Sequence, residues 1–266
     1  MSDHDIGLPI RYFEDNAMMA AFRAPSAGLR ARTPPDLKVV ELWPGWSVVT
    51  IACFEYLRTS VGPYGEVGVC WPVVDARRAP PPLLPMLIER RWPGLGWWVH
   101  HLPVTTEIAL RAGRTIWGYP KFLASIEHGW QDATRTCTLA AGGSEILRLS
   151  IDTRMPARPG RFALRTFTRL GDELLSTRIH VDAVGLRRPF GRALLEPGPH
   201  PVGRELEELG LVRDRAIEVR WYPVYRAVLP EAQERRVVRD GFARAVPAVG
   251  STASPARSPT PAPVAS

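Results

Sequence analysis

Of the 34 basic residues in this 266-residue chain, two are lysines, Lys38 and Lys121. Arginine keeps its proton under essentially all conditions, whereas a buried lysine can lose it and attack a carbonyl as a free amine. Lys121 stands in Trp117-Gly118-Tyr119-Pro120-Lys121-Phe122-Leu123, among large apolar groups. It is a candidate amine nucleophile. Its other reading is a stray lysine in an arginine-rich chain. An ordinary lysine, with a pKa of about 10.4, is only about 0.04% free base at pH 7. Burial can lower a lysine pKa by about 3 to 4 units, which makes about half or more of the amine reactive.

Other groups could serve that amine, each with a plainer alternative. Glu66 is an acid/base or positioning candidate, or a solvated turn residue. Tyr64 could donate a hydrogen bond to a substrate, or simply pack. Arg114, seven residues before the lysine and next to Gly113, could hold a substrate carboxylate or form a structural salt bridge. Arg23 carries the same two readings. Trp117, Tyr119 and Phe122 would supply dry walls that touch the substrate. His100 and His101 suggest a metal, but neighbours on a strand point to opposite faces, so they are not expected to ligate one ion. No other His or Cys lies at ligand spacing, and no phosphate loop or Ser-His-Asp order stands out. No metal and no cofactor are expected.

The elements that would position these groups are mostly strands. Runs rich in Val, Ile, Thr and aromatics cover Trp46–Leu57 and Glu66–Val74, with a Gly62-Pro63 turn signal between them. Further strands are expected at Gly96–Val104, Leu123–Trp130, Ala133–Ala141, Ser144–Asp152, Phe162–Thr168, Leu175–Leu186 and Ala216–Val228. Helices are expected at Leu83–Arg91, Thr105–Ile116 and Pro201–Leu211, the second capped by Thr105-Thr106-Glu107. Gly118 permits a tight turn, and Pro120 fixes its own φ and biases Tyr119 away from helix. Lys121 is thereby expected at the start of a strand, held in one direction. The Trp-rich run Trp92–Trp98 reads as core and pocket wall. Helices do not alternate with strands, so the fold class is α+β and mostly β, with antiparallel barrel-like or sandwich-like sheets and a few short helices.

Composition excludes several classes. The 45% apolar content suffices for a core, and residues 1–244 read as a single domain. From Ala245 the chain is Ala, Pro, Ser and Val, so 245–266 reads as a disordered tail. No run approaches the roughly 18 apolar residues of a membrane span, and Met1–Asp5 lacks the parts of a signal peptide. A cytoplasmic protein without a membrane partner is expected. Three scattered cysteines, Cys53, Cys70 and Cys137, read as buried free thiols. The formal charge of +7 is spread along the chain, and the pairs Arg77-Arg78, Arg90-Arg91, Arg187-Arg188 and Arg235-Arg236 are isolated. A nucleic-acid binder more often clusters its charge, so no nucleic-acid partner is expected.

The stretch Gly113-Arg114, then Trp117 to Leu123 with its aromatic-Pro-Lys-aromatic order, resembles the acetoacetate decarboxylase family. Phe22-Arg23 with Leu29-Arg30 and Pro34-Pro35 is similar to the family's N-terminal segment. Pro63-Tyr64-Gly65-Glu66 is similar to its acidic turn. The resemblance covers roughly residues 8 to 230 and is strongest around Lys121. It implies that Lys121 forms a Schiff base with a small oxo acid, that Glu66 lines the site, that no cofactor takes part, and that the chain assembles as a homo-oligomer. The implied reaction is decarboxylation of a β-keto acid. Alternatives are an aldolase-dehydratase acting on pyruvate-like acids, and a non-catalytic small-molecule binder. The chain departs from the family pattern in places. The family's second lysine is Phe122 here, so a neighbouring cation cannot activate Lys121 and dryness must. A second family glutamate falls at Ile51, with Glu55 four positions out of register, and an N-terminal arginine falls near Asn16.

Overall fold

The computed structural model describes residues 6–77, 94–154 and 157–238. The expected helix Leu83–Arg91, the start of the Trp92–Trp98 run, the domain boundary at 244 and the tail from 245 all lie outside those residues.

In chain order the first elements are β1 (Ile10–Pro25), α1 (Ser26–Ala31), β2 (Leu37–Val39), β3 (Trp46–Thr59), β4 (Tyr64–Asp75), β5 (Leu95–His101) and α2 (Glu107–Trp117). Then come β6 (Ser125–Gln131), β7 (Thr134–Ala141), β8 (Ser144–Asp152), β9 (Arg158–Leu170) and β10 (Glu173–Pro189). The last are β11 (Ala193–Pro197), α3 (Pro201–Glu208), β12 (Ala216–Leu229) and β13 (Glu234–Val237). Hydrogen bonding runs β12-β1-β3-β4-β5-β9-β10, and β10 pairs again with β12, so these strands close into a barrel. Every pair in it is antiparallel except β5 with β9. A second sheet, ordered β11-β8-β7-β6, packs on the outside.

The barrel wall is buried on both faces, and this dictates its sequence. On β3, Thr50, Ala52, Phe54 and Tyr56 face an internal cavity. The alternate residues Val49, Ile51 and Cys53 join Cys137, Leu139, Leu147 and Leu149 of the second sheet in an outer core. Strands covered on both sides read as continuous apolar runs. Phe22, Ile51 and Trp71 are fully buried there, each contributing roughly 1.5–3 kcal/mol of transfer free energy.

Nine expected strands are present, with ends shifted by a few residues. β1 was not expected. Its sequence, IRYFEDNAMMAAFRAP, is poor in β-branched residues and carries register shifts around Asp15 that break any alternation. The short strands β2, β11 and β13 and the helix α1 were also unexpected, being too short to show a period. Thr106 does occupy the N-cap of α2, but its hydroxyl makes no capping bond. Thr105 instead accepts the Gly65 N–H at 2.9 Å, tying the helix start to β4. All three cysteines are free, and Cys53 and Cys137 are buried. No helix among the described residues is long and apolar enough to cross a membrane.

Candidate active site

The turn that delivers Lys121 is built from three residues. Gly118 closes α2 with φ +60, a left-handed conformation suited to glycine. A Cβ there would lie 2.2 Å from the Arg169 carbonyl oxygen, so the chain crosses β9 only because Gly118 has none. The Gly113 carbonyl accepts both the Gly118 and the Tyr119 N–H. The Lys121 N–H then donates to the Tyr119 carbonyl at 2.8 Å, a three-residue turn centred on Pro120. From there the chain runs extended beside residues 102–104. The Pro120 carbonyl accepts from Leu102, the Phe122 carbonyl accepts from Val104 at 2.9 Å, and Ala124 donates to the Val104 carbonyl. Lys121 therefore lies in an extended lead-in four residues before β6, not at the first residue of a strand.

Alternation along that lead-in separates its neighbours. Lys121 enters the barrel and lines the cavity, while Phe122 packs into the outer core with its ring edge-on to His101 at 6.4 Å. Inside, Lys121 Nζ lies 2.7 Å from Glu66 Oε2. Both residues are nearly covered, at 5% and 7% exposure. Glu66 sits within β4, paired with Phe54 of β3, and is thus an inward strand residue instead of a solvated turn residue. Its other oxygen accepts from the Tyr56 hydroxyl at 3.3 Å. Lys121 Nζ also lies 5.5 Å from the Tyr64 ring centre and 5.8 Å from that of Tyr119.

All six tyrosines of the chain belong to the inner cluster that surrounds this pair: Tyr12, Tyr56, Tyr64, Tyr119, Tyr222 and Tyr225. The Tyr12 and Tyr64 hydroxyls are 3.0 Å apart, and the Tyr119 hydroxyl meets Thr166 Oγ1 at 3.0 Å. Burial, reinforced by the Glu66 charge, pushes the Tyr12 and Tyr56 phenols well above their ordinary pKa. They are protonated donors at neutral pH. The cavity holds about 150 Å³. A single water needs about 10–15 Å³ of such space, so a small organic acid fits.

The expected site residues thus fall into two groups. Lys121, Glu66 and Tyr119 line the cavity, and Tyr64 backs the lysine. Trp117 is buried behind them, donating from Nε1 to the Pro230 carbonyl at 2.8 Å. Arg114 donates from Nε to the Lys121 carbonyl at 2.7 Å and does not line the cavity. It fixes the backbone of the lysine. Arg23 stacks over the Trp46 ring at 4.7 Å and is likewise off the cavity wall. Glu55 faces the opposite side of β3 from Phe54, where it accepts from Asn16 at 2.8 Å and pairs with Arg135. Sequence reasoning missed Tyr12, Tyr56 and Tyr225. Thr50, Ala52, Phe54 and Tyr56 share one parity on β3, but the other parity, Val49, Ile51 and Cys53, is equally buried, so the sequence does not mark which face is inward.

One expectation about His100 and His101 is overturned. A register shift separates Val69, paired with His101, from Cys70, paired with Val99, so His100 is the extra residue of a β-bulge. A bulge turns adjacent side chains toward the same side. Both imidazole Nε2 atoms meet Glu205 of α3, at 2.9 and 2.7 Å. Burial would raise the Glu205 pKa, but the two histidine contacts hold it far below the carboxylate range. These ligand-capable atoms lie within 4.8 Å of one another. Arg32 Nε also donates to Glu205 at 2.7 Å, and a guanidinium on the same carboxylate opposes a cation there. The group is a clasp joining β5, α1 and α3.

Residues 4–184 match the acetoacetate decarboxylase (ADC) family model. No curated protein matches the chain. Among solved structures, an acetoacetate decarboxylase from Legionella pneumophila subsp. pneumophila str. Philadelphia 1 is 20% identical with a TM-score of 0.62, covering 88% of this chain and 89% of that one. The enduracididine biosynthesis enzyme MppR, complexed with pyruvate, is 13% identical with a TM-score of 0.60, covering 88% and 92%. An acetoacetate decarboxylase-like enzyme from Sphingomonas wittichii RW1 is 13% identical with a TM-score of 0.52, covering 89% and 97%.

Proposed function

The chain belongs to the acetoacetate decarboxylase family, and from that premise we propose that it is a cofactor-independent lyase whose Lys121 forms a Schiff base with a small oxo acid. The observation that carries this reading is the contact of Lys121 Nζ with Glu66 Oε2 at 2.7 Å inside a covered cavity. A buried amine next to a buried carboxylate has a base within reach to take its proton and return it.

The steps follow from that pair. Glu66 takes a proton from the Lys121 ammonium, and the free amine adds to the substrate ketone. The carbinolamine loses its oxygen as water, with the proton supplied by Glu66, leaving an iminium on Nζ. In a β-keto acid the bond to the carboxylate then breaks. Its electron pair moves into the iminium to give an enamine, and carbon dioxide departs. Protonation of the enamine carbon restores an iminium, and a water hydrolyses it to ketone and free lysine. The tyrosine hydroxyls around Glu66 are protonated donors suited to orient the acid, and the apolar wall disfavours the charged forms of amine and substrate.

The pyruvate in the similar MppR structure supports a second reading. With pyruvate, the iminium would lose a methyl proton to a base and the enamine would attack an aldehyde, forming a carbon–carbon bond. Both reactions share the first covalent step. Incubation with acetoacetate, scored by carbon dioxide and acetone, tests the decarboxylase. Incubation with pyruvate and an aldehyde, scored by condensation product, tests the aldolase. Carbon dioxide release that vanishes in Lys121→Ala supports the first. Condensation without decarboxylation selects the second, and neither product from a panel of oxo acids defeats both.

A further inference from the structure

Residual exposure alternates along β3. The outward Val49, Ile51 and Cys53 are each 0% exposed, whereas the inward Thr50, Ala52, Phe54 and Tyr56 keep 9%, 6%, 8% and 6%. Those four line the cavity, so the surface they keep faces its void. The void exceeds what the smallest oxo acids need. Its volume of about 150 Å³ is room for about ten to fifteen waters. Acetoacetate would take the place of only a few of them. Small residues keep the space open, with Ala21, Ala52, Gly68, Gly96, Ala163 and Ala227 all on the wall.

The wall beside the reacting pair is aromatic. Phe54 is the cross-strand partner of Glu66, and such partners on one face have Cβ atoms about 4.5–5.5 Å apart. The Phe54 ring stacks on Tyr56 at 5.3 Å and meets Tyr225 at 5.5 Å, and Tyr56 meets Tyr12 at 4.5 Å. All four rings line the cavity, so one aromatic surface begins next to the Glu66 carboxylate. Charged residues elsewhere on the wall are engaged with one another or with neighbours. Arg165 donates to Ser176 and Glu234, and Glu218 accepts from Arg187 and Arg220.

We propose that this wall binds a flat apolar substituent on the ketone, so that the preferred substrate is a β-keto monocarboxylic acid larger than acetoacetate, with an aromatic ring beyond its carbonyl. The proposal deepens the Lys121 reading and rests on it for the reacting end only. Phe54 supplies the packing face, where a bound ring leaves water and packs offset or edge-on against the protein's rings. Ala52, two residues earlier on the same side of β3, supplies the room. These two are the specificity-determining residues.

The test has two arms. In the first, kcat/KM is measured for 3-oxo-5-phenylpentanoate and for acetoacetate. The wild type should prefer the phenyl acid by about tenfold or more, since a single methylene in an apolar pocket is worth about 10–200-fold. In Ala52→Leu, whose added carbons fill the space beside Phe54, that ratio should fall by about tenfold or more. Gly68→Ala serves if Ala52→Leu does not fold, because a Cβ there meets Leu102 at 3.4 Å, an ordinary contact. A wild type that turns over acetoacetate as well as the phenyl acid, or a ratio unchanged in the variant, overturns the proposal. In the second arm, 4-phenylbutan-2-one and butan-2-one are titrated by calorimetry into Lys121→Met, which cannot form an imine. The phenyl ketone should bind about tenfold or more tightly, and adding Ala52→Leu should abolish the difference. If the two ketones bind equally, the aromatic pocket is wrong whatever the lysine does. If the phenyl ketone binds more tightly in the second arm and neither acid reacts in the first, the Schiff-base reading fails and the pocket stands.

Discussion

The Lys121 side chain fills the space that a side chain at Gly113 would take. A Cβ at position 113 would lie 2.4 Å from Lys121 Cδ and 2.5 Å from Cε. The stem of the lysine therefore lies directly on the backbone of α2, and the missing side chain of Gly113 is what admits it.

Gly113→Ala should leave the fold intact and displace the lysine. Alanine is favoured over glycine within a helix by up to about 1 kcal/mol, and the clashing atoms are the far part of a flexible side chain. A misplacement of about 1 Å can cost about a hundredfold in rate. The melting temperature should stay within a few degrees of wild type while turnover falls by about ten- to a hundredfold. A fully active variant would show that the lysine does not need this position.

Arg114 separates a positioning role from substrate binding. Its Nε–H holds the Lys121 carbonyl at 2.7 Å, outside the cavity. Arg114→Lys cannot reproduce that fixed donor. The expected result is a fall in kcat of about tenfold with KM little changed. A rise in KM with kcat intact would restore Arg114 as a carboxylate binder.

Glu66→Gln keeps the shape of the site and removes the base. Proton-transfer steps should slow by about 10²–10⁴-fold while the fold is retained. Wild-type turnover in this variant would move the base elsewhere.

Asp15 sets a pH dependence of stability. Burial raises its pKa to about 6, although the Leu57 and Arg58 N–H groups donate to it and oppose the shift. The folded state thus prefers protonated Asp15, whereas the unfolded chain ionises at its ordinary 3.8. The stability this confers is full below about pH 4 and is lost as pH rises through about 6. Asp15→Asn keeps an accepting oxygen for Leu57 without the charge. Urea denaturation should show the variant more stable than wild type at pH 7.5, by about 2 to 3 kcal/mol, with the gap closing by pH 4. An equal gap at both pH values would remove Asp15 as the cause.

The sequence carried the local half of this site and little of its surroundings. The Gly-Tyr-Pro turn and the lysine after it were legible because glycine and proline constrain the backbone wherever they stand. Glu66 was legible by family resemblance, and its burial was not, since a Pro-Tyr-Gly-Glu string reads as a turn. The inward tyrosines were hidden for a different reason. Strands buried on both faces lose the alternation that marks an inside, and β1 shows neither alternation nor high β-propensity. The His100–His101 clasp was misread because a bulge is a property of two paired strands, and a single strand's sequence does not display it.

The central claim is that Lys121 forms an imine, and one measurement tests it most directly. The protein is incubated with acetoacetate or pyruvate, reduced with borohydride, weighed intact and digested for peptide mapping. The account predicts one reduced adduct per chain, located on Lys121 and absent from Lys121→Ala. No adduct on the wild type with any oxo acid, or an equal adduct on Lys121→Ala, would contradict it.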